Sequence, residues 1–168
     1  MPSSVLGGSV NSRLIASLAV GAAVILGTSG CAMISPQATT IAYSAAEGVN
    51  VHGSGPLEVR NAFIVANADG TKGNFVAAIV NTTDESHTLR VTFGEGSDTI
   101  EETIRVAANS VLSLGSEETE PLEIEGIEML PGSDVPGYFA SDDAEGTLVS
   151  LPVLDGQLSY LAALVPSD

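Results

Sequence analysis

Apolar residues in the second part of the chain recur in short runs that turn residues separate. Residues 57–66 begin with apolar–polar alternation, residues 88–93 alternate cleanly, and residues 75–80 are apolar throughout. Alternation with period two is typical of a half-buried strand, whereas a short unbroken apolar run is typical of a strand buried on both faces. The pattern therefore predicts β-strands, with residues 75–80 placed centrally in a sandwich.

Other short runs extend this pattern to the end of the chain. Asp69-Gly70 predicts a hairpin turn, and the pairs Pro131-Gly132 and Pro136-Gly137 predict a loop between strands. Roughly eight to ten strands at this spacing predict an all-β fold with an immunoglobulin-like β-sandwich architecture. The remaining predicted strands cover residues 39–43, 100–106, 111–114, 122–127, 146–154 and 160–165.

The first thirty residues have a different composition, because they contain no Asp or Glu. Arg13 precedes an apolar run at residues 14–26, and small residues follow at 27–30. A positive start, an apolar middle and small residues at a cleavage point are typical of a secretory signal. The run is short for a spanning helix, which needs about 20 apolar residues. We therefore expect a signal helix that is removed from the exported protein.

Cys31, the only cysteine of the chain, follows this signal directly. The small residues before it resemble the lipobox of bacterial lipoproteins, in which the cysteine receives a diacylglycerol and becomes the new amino terminus. The resemblance implies a lipoprotein signal peptide at residues 1–30, a tether at 31–38 and a β-sandwich domain at 39–168. The alternatives are a plain signal peptide with an unrelated cysteine and an uncleaved anchor. A lipid on Cys31 would hold the domain at the extracytoplasmic face of the cell membrane.

The charge excludes one class of partner. The formal net charge is −16, from five Lys and Arg residues against 21 Asp and Glu residues. A nucleic-acid-binding protein needs a basic surface to neutralise phosphates, so we expect no nucleic-acid partner. The acidic groups at residues 95–102, 117–120 and 142–143 have no EF-hand spacing, and we interpret them as a solvated surface.

Four runs of the sequence resemble a known family. Residues 57–64 contain Val-Arg-Asn-Ala, residues 75–82 end in Asn-Thr, and residues 88–91 and 146–153 read as further strands. Together they are similar to actinobacterial envelope lipoproteins related to the periplasmic copper chaperones of the PCuAC type. The resemblance spans most of residues 50–155 and implies a cupredoxin-like sandwich outside the cytoplasm.

The resemblance does not bring a copper site with it. That family holds Cu(I) with His and Met, including a His-x-Met pair, whereas Ser54 follows His52 and Leu89 follows His87 at that spacing. We therefore predict no metal ligand and no cofactor. A copper-handling module remains the alternative, and it requires His52, His87 and the soft ligand Met129 to meet in the fold.

Catalytic motifs are absent from the sequence. It contains no Gly-x-Ser-x-Gly elbow, no His-Glu-x-x-His and no phosphate loop, so we expect no enzyme. Asn81-Thr82-Thr83 matches a glycosylation acceptor, which we interpret as a chance match. The sequence predicts a membrane-anchored, non-enzymatic binding or structural lipoprotein with an unidentified protein partner.

Overall fold

The computed structural model describes residues 14–22 and 46–167. Residues 14–22 form an α-helix, and none of the helices in these two ranges is long and apolar enough to cross a bilayer. Chain contacts separate residues 1–43 from residues 44–168, and the second unit contains the sheet structure. Cys31, the tether and the predicted strand at 39–43 lie outside the described residues.

Residues 46–167 fold into nine β-strands and one short 3-10 helix, at Ala162–Leu164. The strands are β1 (Val49–Val51), β2 (Leu57–Ala66), β3 (Lys72–Asn81), β4 (His87–Glu95), β5 (Asp98–Val106), β6 (Ser110–Leu114), β7 (Leu122–Glu125), β8 (Asp134–Ser141) and β9 (Thr147–Leu154).

The strands form one sheet that curls into two facing layers. The order is β5-β4-β8-β9-β2-β3-β6, with β1 paired to β2 and β7 paired to β3. Layer A contains β1, β2, β3, β6 and β7, and layer B contains β4, β5, β8 and β9. The end of β9 pairs in parallel with β2 at Ile64↔Val153 and joins the layers, whereas the other pairs are antiparallel. The predicted all-β sandwich is confirmed.

Phenylalanine rings fill the space between the layers. Phe75 on β3 lies 5.1 Å from Phe93 on β4 and 6.1 Å from Phe139 on β8, measured between ring centroids. All three side chains are fully buried, and the aliphatic residues of both layers pack around them. The Phe75–Phe93 pair is edge-to-face, a geometry that adds to the stabilisation from burial, and the Phe75–Phe139 pair is tilted. The central position predicted for residues 75–80 is therefore confirmed.

A bulge in β2 explains why its alternation stops. Asn61 has a φ of 50°, and the pairing of β2 with β3 shifts between Arg60 and Phe63. Asn61 Oδ1 accepts the Gly48 N–H at 2.8 Å, and the Asn61 N–H donates to Asn50 Oδ1 at 3.0 Å, which fastens β1 to the bulge. The extra residue exchanges the two faces of the strand, as a one-residue shift must.

The C-terminal residues cover the outer side of β2 beyond this bulge. Leu161 is 2% exposed and packs with Phe63 and Val65, and the Asn74 amide donates to Leu164 O at 2.8 Å. The hydroxyl of Tyr160 donates to Glu47 at 2.9 Å, a bond that raises the pKa of Tyr160. The predicted closing strand at 160–165 is wrong, because this segment contains the 3-10 helix.

The predicted loop at Pro136-Gly137 is also wrong, because both residues belong to β8. Pairing of β8 with β4 ends at Gly137, so the missing N–H of Pro136 leaves no hydrogen bond to β4 unmade. A side chain at Gly137 would overlap Leu151 and Phe139, so glycine is required by the packing. Pro136 is therefore tolerated because pairing with β4 ends next to it, and Gly137 is present because the core leaves no room for a side chain. Neither residue marks a turn.

Candidate functional site

A chain of side-chain hydrogen bonds crosses one end of the sandwich. His87, the first residue of β4, lies between the β3–β4 turn and the loop that follows β8. Its Nδ1 lies 2.6 Å from Asp142 Oδ2, and its Nε2 lies 2.8 Å from Thr83 Oγ1. The His87 side chain is 16% exposed and that of Asp142 is 43% exposed. The arrangement joins an acid, an imidazole and a hydroxyl in one line.

Asn81 holds the turn at the Thr83 end of this chain. Its Nδ2 donates to Glu85 O and Ala107 O at 2.8 Å each, and its Oδ1 accepts the N–H of Thr83 at 3.0 Å. Asn81 is 2% exposed, so its amide is inaccessible to a glycosyl donor. Interpretation of the Asn81-Thr82-Thr83 motif as a chance match therefore agrees with the role of Asn81 in the turn.

Asp142 holds the other end of the chain. Its φ is 49°, a conformation that Asn and Asp tolerate better than most residues. The Thr88 backbone N–H, which donates to Oδ1 at 2.9 Å, lowers the pKa of Asp142, and the hydrogen bond from His87 lowers it further. A carboxylate with a lowered folded-state pKa stabilises the fold above its ordinary pKa, and this contribution is lost as the pH falls through the lower value.

The residues proposed for a copper site do not meet. Met129 is fully buried, and its thioether lies against Gly73, near the start of β3. His87 lies beside Asn81, at the end of β3, and eight residues of strand span roughly 27 Å at about 3.4 Å per residue. Both ring nitrogens of His87 are engaged with protein oxygens. Among residues 14–22 and 46–167, no three His, Cys, Asp or Glu side chains form a metal-binding group, and the contact between His87 and Met129 that the copper alternative requires is not present.

The acidic residues lie mainly in solvent, as predicted. Glu95, Asp98, Glu117, Glu118 and Glu120 are exposed. Glu102 is half-buried, because its position in β5 pairs with inward-facing Val91. An inward charge on an edge strand disfavours pairing with another chain.

The outer side of layer B differs from this acidic surface. Tyr138 on β8 and Leu148 on β9 are paired in register and are 40% and 63% exposed. Arg90 on β4 lies diagonally next to Tyr138, which pairs with Thr92. We call Arg90, Tyr138 and Leu148 the outer patch. The Arg90 guanidinium makes no hydrogen bond to the described part of the chain, and its nearest carboxylate oxygen belongs to Glu101 at 3.8 Å.

Sequence reasoning missed both groupings, for different reasons. Asp142 and His87 are 55 positions apart, and only the pairing of β4 with β8 brings them together. The outer patch has a weak sequence signal, since Arg90 and Leu148 occupy the polar-facing positions of predicted strands. A leucine at such a position is the feature that singles out the surface, but the neighbouring strands cannot be known before the strand order is known.

Comparisons with known proteins give only distant likenesses. No protein-family model matches the chain, and no curated protein matches it. A solved copper-bound PCuAC domain from PmoF2 is 16% identical, with a TM-score of 0.48 over 64% of this chain and 99% of that one. An apo PmoF2 PCuAC domain is 16% identical, with a TM-score of 0.49 over 64% of this chain and 95% of that one. An apo PCuAC domain from PmoF1 is 14% identical, with a TM-score of 0.45 over 61% of this chain and 97% of that one. At these values the likeness carries no conclusion about activity.

Proposed function

We propose that the chain is a lipid-anchored, extracytoplasmic binding module whose outer patch contacts a protein partner. The observation that supports binding is the exposed Tyr138–Leu148 pair beside Arg90, which within residues 14–22 and 46–167 makes no hydrogen bond and only an ion pair of 3.8 Å with Glu101. Tyrosine and arginine are enriched among the residues that dominate binding energy at protein interfaces. An exposed leucine alone is common, so the argument depends on the three side chains lying together.

The chemistry of the patch favours a partner segment with a carboxylate next to an apolar side chain. A guanidinium takes a carboxylate through two parallel hydrogen bonds, and Tyr138 and Leu148 offer apolar area beside it. Arg90 and Arg105 both lie on this side of layer B, although the chain after Cys31 has only four Lys and Arg residues. A second copy of the chain is disfavoured as the partner, because each copy carries a net charge of −16.

The anchor in this proposal comes from the sequence. Cys31 ends the signal-like run, and β1 begins at Val49, so seventeen residues lie between the cysteine and the first strand of the sandwich. Two or three acyl chains give stable membrane attachment where one does not. A short spacer would keep the module close to the membrane and raise the local concentration of partners there.

The proposal is tested in cells that express the full chain with a photo-cross-linking residue at position 148. We expect the mature chain in the membrane fraction with a lipid-modified Cys31 by mass spectrometry, and its loss from that fraction in Cys31→Ser. We also expect a cross-linked partner peptide that contains Asp or Glu next to an apolar residue. The Arg90→Glu variant should lower the cross-linking yield roughly tenfold, the effect of losing a charged hydrogen bond.

Two matched controls separate the patch from general exposure. Val111, which is 59% exposed on β6 in layer A, is the control position for the cross-linker. Arg60 on β2, whose side chain is 60% exposed, is the control for charge reversal as Arg60→Glu. An unmodified Cys31 would refute the anchor. Equal yields at positions 111 and 148, or no effect of Arg90→Glu, would refute the binding surface.

A further inference from the structure

We propose that the Thr83–His87–Asp142 chain is a proton-dependent latch that fixes the loop of residues 142–146 and, through it, the ring of Tyr138. The proposal rests on the proposed function, since it describes regulation of the outer patch. Histidine is the side chain whose charge ordinarily changes between pH 5 and 8. The latch would therefore make the shape of the patch depend on pH.

The hydrogen-bond count favours the ring with two protons. Nδ1 faces the Asp142 carboxylate, which only accepts, so Nδ1 carries a proton. The Thr83 hydroxyl has one proton to donate. Its oxygen, Oγ1, lies within 3.0 Å of three possible acceptors: His87 Nε2, Asn81 Oδ1 and Glu85 O. With a second proton on Nε2, the ring donates to Thr83 and the Thr83 hydroxyl donates to Asn81. Without it, the single hydroxyl proton is divided among three acceptors.

The same geometry argues against a catalytic interpretation of the chain. An acid–imidazole–hydroxyl line is the arrangement of a hydrolase triad, in which the imidazole removes the hydroxyl proton. Here two oxygens that only accept, Asn81 Oδ1 and Glu85 O, compete with His87 for the Thr83 proton. The hydroxyl is thus held within its own turn, and the chain joins two loops instead of activating a nucleophile.

The loop carries the effect from Asp142 to Tyr138. Asp142 Oδ1 accepts the Thr88 N–H at 2.9 Å at the start of the loop, and the Gly146 N–H at its end donates to Tyr138 Oη at 3.0 Å. The Tyr138 ring packs so closely on Gly146 that a side chain there would overlap it. Movement of the loop therefore moves the aromatic member of the outer patch.

The charged groups around the latch come from three elements. Asp142 faces the imidazole from the loop after β8, and Arg105 on β5 acts on Asp142 and helps to lower its pKa. Asp84 and Glu85 belong to the β3–β4 turn and are exposed. The carboxylate of Asp142 stays ionised as the pH falls below its ordinary pKa, so the latch is closed in mild acid. A neutral ring would keep the Nδ1–H bond to Asp142 but would lack the attraction between opposite charges, so it would hold the loop less tightly.

Amide NMR of the full chain in detergent micelles tests the latch between pH 5 and 8. We expect the Thr88 and Gly146 amide signals to shift together in one transition. The protection of the Gly146 amide from exchange, corrected for intrinsic rate, should be roughly fivefold lower at pH 8, the effect of about one hydrogen bond. His87→Gln should remove the joint transition. His52→Gln is the matched control and should leave it unchanged, because His52 is exposed and contributes only its backbone oxygen, to Thr147.

The outcomes distinguish the latch from the proposed function. Absence of a joint transition in the natural chain, or its persistence in His87→Gln, would overturn the latch. Cross-linking at position 148 should be roughly fivefold higher at pH 5.5 than at pH 8 in the natural chain and equal in His87→Gln. If the amide signals show the joint transition but the cross-linking yield at position 148 is the same at both pH values, the latch does not control binding. No cross-link at either pH would reject the binding surface, and the amide signals would still decide the latch.

Discussion

Asparagine side chains replace missing backbone partners at several places in this sandwich. Asn61 completes the bulge in β2, Asn74 receives the C-terminal segment, and Asn81 closes the β3–β4 turn. Each joins segments that are distant in sequence, because one amide both donates and accepts. The sequence indicated Asn81 through a glycosylation pattern and as part of the run at residues 75–82 that resembles a known family, and neither predicts its role in the turn. Its real role depends on which carbonyl groups lie opposite after folding, and no local pattern contains that information.

Asn81→Ala is expected to lower the free energy of unfolding by about 2–3 kcal/mol, because three carbonyl groups lose their donor and the one on Val106 is buried. The Asn81 amide donates to Glu85 O and Ala107 O at 2.8 Å each, and it lies 3.3 Å from the buried Val106 O. Urea unfolding, with the midpoint compared at a constant slope, measures the change.

Thr82→Ala is the matched control for this prediction, since Thr82 is the exposed neighbour of Asn81. A surface substitution of this kind should change stability by less than about 0.5 kcal/mol. If both variants unfold at the same urea concentration, the Asn81 amide does not stabilise the turn as the geometry indicates.

Strands were predictable where their pattern was independent of the rest of the fold. The predicted bounds of β2 agree with Leu57–Ala66, and the central runs of β3 and β4 were also found from alternation and apolar content. β8 was missed because Pro136-Gly137 gives a turn signal, although the strand tolerates both residues where pairing with β4 ends. The C-terminal segment was assigned as a strand because its apolar residues suit either a strand or a covering segment.

The covering role of the C-terminal segment predicts a large effect of Leu161→Ala. Leu161 is 2% exposed and packs on Phe63 and Val65, so its truncation should cost about 2–4 kcal/mol of unfolding free energy. Leu158→Ala tests the same substitution three residues earlier, where the side chain is 51% exposed, and should cost less than about 0.5 kcal/mol.

Thermal or urea unfolding of the two leucine variants measures the difference. Binding of a fluorescent apolar dye should also increase in Leu161→Ala, because the outer side of β2 becomes accessible. Equal stabilities for Leu158→Ala and Leu161→Ala would mean that the segment does not cover layer A in solution.

Charge divides the whole molecule into two parts. Residues 1–45 contain no acidic residue, whereas all 21 Asp and Glu residues follow Cys31. This division is visible in the sequence, and it is the basis of the prediction that nucleic acid is not a partner. The outer patch and the latch are not visible there, because both depend on the order of β4, β8 and β9, which sequence pattern alone does not determine.

The excess negative charge predicts that salt stabilises the sandwich. Like charges repel in the compact state, and a Debye length of about 8 Å at 0.15 M salt screens much of that repulsion. The urea midpoint should therefore rise between 0.01 M and 0.15 M sodium chloride. Glu118→Lys, at an exposed position in the acidic β6–β7 loop, should raise the midpoint at low salt and have little effect at 1 M salt. If the urea midpoint does not change with salt in the natural chain or in Glu118→Lys, charge repulsion does not limit the stability of the sandwich.

The bulge at Asn61 has a consequence for how such a chain can evolve. Leu57 and Val59 face the core before it, and Ala62, Ile64 and Ala66 face the core after it. Deleting one residue there would restore regular alternation and turn half of the strand inside out. Lineages that keep this fold should therefore exchange side chains in β2 far more readily than they gain or lose a residue, whereas the exposed turn at Gly96 should accept insertions.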